Sequence, residues 1–129
     1  MKTTKKSSSF IASFSYAFQG LKYFFSHEVK SKIHFFAMLV CISFGFFFNI
    51  NFVEWLIILI CFSMVFVAEI FNTAIETLCD FIFPDYHLKI KIVKDLAAAA
   101  VLMASIFSFI ISILIFLPKI FKYFSYVIN

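Results

Sequence analysis

The run Leu56-Ile-Ile-Leu-Ile-Cys-Phe-Ser-Met-Val-Phe-Val-Ala68 passes without a break into Glu69-Ile-Phe-Asn72-Thr73-Ala74-Ile75-Glu76-Thr77-Leu78-Cys79-Asp80. The first part is nearly pure hydrocarbon; the second carries three carboxylates. At about 100° per residue, Glu69, Thr73, Glu76 and Asp80 fall on one side of a helix, with Asn72 at its edge. Trp55 is a natural anchor at the far membrane interface. A rise of about 1.5 Å per residue puts Glu69 roughly 21 Å below Trp55, inside a hydrocarbon core about 30 Å thick. Glu76 then falls near the opposite surface. An acid at the depth of Glu69 costs about 2.5–3.5 kcal/mol on insertion scales, so it faces a partner or a polar cavity rather than lipid. Its default reading is a functional site.

The rest of the chain agrees with a membrane setting. Of 129 residues, 64% are hydrophobic and only 14% charged, far from the balance of a soluble domain. Twenty-two phenylalanines and two glycines exclude a disordered or collagenous chain. The fold class expected is an all-α integral membrane protein. The start, Met1-Lys2-Thr-Thr-Lys5-Lys6, lacks the apolar core and small-residue site of a cleavable signal peptide. The net charge of +4 sits on lysines that flank apolar segments. They suit anionic headgroups and topology control, so no nucleic-acid partner is expected. Cys41, Cys61 and Cys79 lack metal-ligand spacing and read as buried thiols. A polar face on so small a bundle calls for partners, and a homo-oligomer is the economical answer.

Along the chain, residues 1–9 form a basic tail. Residues 10–26 read as an amphipathic surface helix, with Phe10, Phe14, Ala17, Phe18, Leu21 and Phe25 at helical spacing. The same stripe also suits packing against the other helices. Residues 27–32 read as a charged connector. Membrane helices are expected at 33–52, 54–83 and 96–117, the second stopped by Pro84 and the third by Pro118. The whole forms one domain. Six lysines precede the first membrane helix, none lies between the first and second, three lie between the second and third, and two follow. The positive-inside rule therefore places the N-terminus and the Pro84 turn in the cytoplasm.

That topology gathers Glu28, Glu76, Asp80, Lys94 and Asp95 at one membrane surface. Clustered carboxylates repel unless a cation sits among them, and oxygen-rich sites suit Mg²⁺ with substrate phosphates. Lys94 offers a point charge to a phosphate. These are the parts phosphoryl transfer needs, and Glu69 lies deep enough to act as base on a lipid hydroxyl. No GxxxxGK[ST] is present, so a nucleotide site is not a P-loop. Plainer readings stand beside these. Glu28 suits a solvated charge, and Asn72 and Asp80 suit pairing across helices. Lys94-Asp95 suits a helix start, and His34 and His87 suit the interface. The 97–100 alanine run suits close helix packing.

The stretch Glu69-Ile-Phe-Asn72-Thr73-Ala74-Ile75-Glu76-Thr-Leu-Cys-Asp80 resembles the signature of the small prokaryotic diacylglycerol kinase and undecaprenol kinase family, E-x-x-N-[ST]-[SA]-[LIV]-E-x-x-x-D. Phe14-Ser-Tyr16-Ala17-Phe-Gln-Gly20 resembles its N-terminal helix. Glu28 with Ile33-His34 resembles its E-x-N-F-R-I-H segment. Asp85-Tyr86-His87 and Lys94-Asp95-Leu-Ala-Ala resemble its E-Y-H and K-D-x-A-A elements. The resemblance covers about residues 10–118. It implies a homotrimer of three-helix subunits in a prokaryotic cytoplasmic membrane, moving the γ-phosphate of ATP to a lipid hydroxyl with Mg²⁺. By this resemblance Glu69 is the base, and Glu28 and Glu76 hold the metal. Tyr16, Asp85, Tyr86, His87, Lys94 and Asp95 surround ATP, while Asn72 and Asp80 line the site. Three positions depart from the pattern: Lys30 replaces asparagine, Ala99 replaces a common glycine, and Ser9 stands where some relatives carry arginine. His34 and Ile115-Phe-Leu-Pro118 resemble the undecaprenol kinase branch, which makes undecaprenol the favoured acceptor and diacylglycerol the alternative. The competing class is a non-enzymatic scaffold or pore-forming oligomer.

Overall fold

The computed structural model describes residues 10–128, as four helices with no strand among them. The basic tail, with Ser9, lies outside the described residues. Helix α1 is Phe10–His27, α2 is Val29–Phe47, α3 is Phe52–Ile82 and α4 is Leu88–Ile128. The last three are long and apolar enough to cross a membrane.

In helix α1, Phe10, Phe14 and Phe18 of the phenylalanine stripe stay outside, and among the described side chains Phe24 is the one buried. The expected charged connector shrinks to one extended residue, Glu28, because α2 begins at Val29. Ser31, fully buried, donates to the carbonyls of Glu28 (2.7 Å) and Phe24 (3.3 Å), tying the end of α1 to the first turn of α2. The Phe25 ring meets Phe35 of α2 and Phe66 of α3, so α1 is pinned at its C-terminal end.

Helix α2 ends five residues before the expected boundary. Asn49 takes a left-handed conformation (φ 49°), the Asn49 N–H reaches the Phe46 carbonyl and the Ile50 N–H reaches the Gly45 carbonyl. This pair of bonds is a Schellman closure, with asparagine at the left-handed position. Asn51 then opens α3 with a capping box. Its side chain accepts from the Glu54 N–H (3.0 Å), and Glu54 Oε2 accepts from the Asn51 N–H (2.8 Å). Beside this turn Ile50, Ile58 and Phe116 form the bundle's apolar core. Gly45 admits the Trp55 ring, whose nearest atom would lie 2.6 Å from an added Cβ.

Helix α3 stops at Ile82, with Phe83 extended before Pro84. The expectation that Pro118 closes the last helix is corrected: α4 continues through it to Ile128. Proline removes one backbone bond at that point. Phe116 before it lies in the apolar core, and packing beyond it carries the helix on. Lys119 Nζ pairs with Glu54 Oε2 at 3.0 Å, and the Tyr123 ring meets Phe47 and Phe48. The helix also begins earlier than expected, at Leu88, and its 41 residues make about 61 Å, twice a bilayer core. Its most extensive interface is with α3.

Candidate active site

The buried positions of α3 are Ile58, Cys61, Val65, Glu69, Asn72, Thr73 and Cys79. From Ile58 to Asn72 they recur every three or four residues, and Thr73 and Cys79 fall on the same side, so together they make one helical stripe. Glu69 points into the bundle because it continues the stripe that Ile58, Cys61 and Val65 bury, and only 2% of it is exposed. A carboxylate so enclosed needs a partner. His34 of α2 supplies it, with Nε2 3.1 Å from Glu69 Oε1. With Glu69 as a carboxylate, which only accepts, the bond takes its hydrogen from Nε2. His34 stands roughly three and a half turns before the end of α2, and Glu69 roughly four and a half turns past the start of α3. Side chains tilt toward their helix N-terminus, so in this antiparallel pair the two lean toward each other and close that gap.

One turn beyond Glu69, Asn72 is equally buried, and its Oδ1 has no hydrogen-bond partner. Thr73 is buried beside it, and its carbonyl accepts from Thr77 Oγ1 at 2.7 Å. Farther along, Glu76 is half-buried, with Lys30 Nζ 3.8 Å from Oε1. Asp80 is exposed and bound by Lys94 Nζ at 2.8 Å, which fastens α3 to α4. Lys91 pairs with Asp95 one turn apart at 2.6 Å. The carboxylates thus run from a buried one to an exposed one along a single helix.

Of the residues expected at the site, Glu69, Asn72, Glu76, Asp80 and Lys94 come together along this face. Glu28 caps α2 with its backbone only, and lies two residues from the Lys30 that reaches Glu76. Asp95 is held by Lys91 on the outer side of α4. Tyr16 is exposed on α1. Asp85, Tyr86 and His87 form the exposed turn before α4, where the His87 ring leans on Phe83 and its carbonyl accepts the Lys91 N–H. Within the single chain no described hydrogen bond or ion pair joins Tyr16 or that turn to the α3 face. From sequence, His34 reads as an interfacial histidine and as part of the family resemblance but not as a partner of Glu69, and Ser31 has no role. A signal for His34 was present, since it and Glu69 lie at similar distances from the same helical turn.

Magnesium is tested by the donor set. Glu28, Glu76 and the orphaned Asn72 oxygen are hard oxygen donors of the kind Mg²⁺ takes. Among the described residues no three of His, Cys, Asp and Glu gather as a protein cage. Mg²⁺ is commonly held by one or two carboxylates with substrate phosphates and water, so these residues fit that mode. Two mainly apolar clefts flank the face. One of about 470 Å³ lies between α2, α3 and α4, with His34, Cys41, Val65, Ser105 and Phe109 on its walls. Another of about 490 Å³ lies between α1 and α3, lined by Gly20, Phe24, Thr73 and Thr77.

Fold and site define a helical membrane protein with an enclosed, imidazole-bonded carboxylate in its central span. The family model for prokaryotic diacylglycerol kinase matches residues 15–116, and the chain belongs to that family. It is 42% identical over 84 residues to an undecaprenol kinase of Bacillus subtilis (strain 168), covering 65% of this chain and 66% of that protein. A diacylglycerol kinase of Synechocystis is 31% identical over 111 residues, covering 85% of this chain and 63% of that protein. A diacylglycerol kinase of Helicobacter pylori (strain J99) is 36% identical over 93 residues, covering 71% and 72%. The matches thus span just under two thirds of the first two relatives' own length.

Proposed function

We propose that the protein is an ATP- and Mg²⁺-dependent lipid kinase that moves the γ-phosphoryl group to a membrane lipid hydroxyl, with undecaprenol favoured and diacylglycerol the alternative. The observation that carries this is Glu69: a carboxylate enclosed at membrane depth, held by an imidazole, in a chain of the diacylglycerol kinase family. The acceptor hydroxyl arrives laterally and gives its proton to Glu69 as its oxygen bonds to the γ-phosphorus. The β–γ bridging P–O bond breaks, and ADP leaves with the electron pair. Mg²⁺, when bound, would supply neutralisation of the phosphate charge. Glu28 and Glu76 would hold it. Lys94 offsets phosphate charge, exchanging its bond to Asp80 for the nucleotide, and Tyr16, Asp85, Tyr86, His87 and Asp95 form the ATP surround. The acceptor branch is favoured by the undecaprenol kinase relative and by His34. We place the site on the cytoplasmic face of the inner membrane and assemble the chain as a trimer, which light scattering in detergent tests as three copies per micelle.

The decisive experiment gives purified protein in mixed micelles Mg²⁺ and γ-labelled ATP, with undecaprenol or diacylglycerol as acceptor. Label should enter one lipid in preference. Glu69→Gln should lose about 10²–10⁴-fold in turnover while ATP still protects the variant from thermal unfolding, because a base contributes on that scale. Normal turnover in Glu69→Gln removes it as base. A non-enzymatic scaffold would show neither label transfer nor nucleotide protection.

A further inference from the structure

We propose that His34 is a positioning residue for Glu69: its Nε2–H fixes Oε1 so that the other carboxylate oxygen is presented to the acceptor hydroxyl. The proposal rests on the reading of Glu69 as base. Glutamate has three rotatable side-chain bonds, and a free carboxylate at this depth samples several orientations. His34 makes the one described hydrogen bond to Glu69, at 3.1 Å. It comes from a different helix, so the bond fixes the carboxylate against α2 rather than against its own turn. The preceding turns of α3 offer Val65 and Cys61, which supply no competing strong donor. A bond to an ionised acceptor in such surroundings is strong. The imidazole is itself a quarter exposed and stands on the wall of the cleft between α2, α3 and α4. It therefore touches both the base and a space open to an apolar chain. Through the reaction His34 keeps its proton; the hydroxyl proton goes to the free oxygen of Glu69.

The test compares His34→Leu, which removes the donor, with His34→Gln, whose side-chain amide keeps an N–H near the place of Nε2. In His34→Leu, kcat should fall about 100-fold, the scale of a misplacement of about 1 Å, with KM for ATP unchanged. His34→Gln should recover to within about tenfold of the unsubstituted protein. His34→Leu added to Glu69→Gln should slow the residual rate no further, whereas general structural damage would. An infrared carboxylate band, isolated as the difference between the unsubstituted protein and Glu69→Gln, should shift in His34→Leu and return in His34→Gln. Unsubstituted kcat in His34→Leu, or a glutamine variant as slow as the leucine one, overturns the proposal. So does an unmoved infrared band, even in preparations that phosphorylate neither lipid. Absence of label with a shifting band counts against the kinase reading alone.

Discussion

Lys30 stands 3.8 Å from Glu76, a residue the kinase reading gives to the metal. The pair is partly exposed, with side-chain exposures of 56% and 27%, so it contributes no more than about 1 kcal/mol. A cation beside a metal-holding carboxylate nonetheless competes with the metal. Lys30→Asn should lower the Mg²⁺ concentration for half-maximal rate by up to about fivefold, the equivalent of that energy, with KM for ATP little changed. An unmoved magnesium titration would show that Lys30 does not act on Glu76. The acids of α3 were legible in the sequence because they share one helix, where period alone fixes which side chains are neighbours. Their pairing with His34 and Lys30 was less so, since both partners lie on α2, and the similar distance of His34 and Glu69 from the turn was the one signal. Register between two helices depends on where the intervening turn closes, and that turn falls earlier than hydropathy suggests.

At the scale of elements, the α2–α3 turn and the end of α4 meet in Glu54. One carboxylate caps α3 through Asn51 and also binds Lys119. Asn51→Ala should cost about 1 kcal/mol, the usual value of an N-cap, and lower the thermal midpoint in detergent slightly. Glu54→Ala removes both its bond to the Asn51 N–H and the tie to α4, so its midpoint should fall further. Equal shifts in the two variants would mean the Lys119 bridge holds nothing. This junction also explains why the helix ends were misread. Apolar residues continue on both sides of Asn49 and Asn51 as far as Phe52, so hydropathy alone does not place the turn, which depends on left-handed Asn49 and the box at Asn51. Pro118 reads as a stop because proline lacks an N–H, yet Lys119 and Tyr123 are held by neighbouring elements and keep α4 helical. Pro84 does stop α3, because the residue before a proline is pushed out of the helical region, and Phe83 is extended there.

Among the described residues, the Lys–Asp and Lys–Glu ion pairs gather at two ends of the molecule. Lys30, Glu76, Asp80, Lys91, Lys94 and Asp95 lie at one, and Glu54 and Lys119 at the other. Glu54 and Asp80 are about 39 Å apart along α3, enough to clear a hydrocarbon core of about 30 Å at both sides. Helices α3 and α4 are therefore crossing helices with polar ends, and Glu69 is enclosed between those ends. In the orientation we propose from lysine placement, the Glu76 end faces the cytoplasm and ATP. Single cysteines test it: Ser13→Cys on α1 and Tyr126→Cys on the far end of α4, both at exposed positions. The native thiols, two of them buried and Cys41 half-buried, set the blank. In spheroplasts a membrane-impermeant maleimide should label Tyr126→Cys at once, and Ser13→Cys only after permeabilisation. The opposite pattern would put Glu76, Asp80 and Lys94 on the face without ATP, and the kinase mechanism would fall with the orientation.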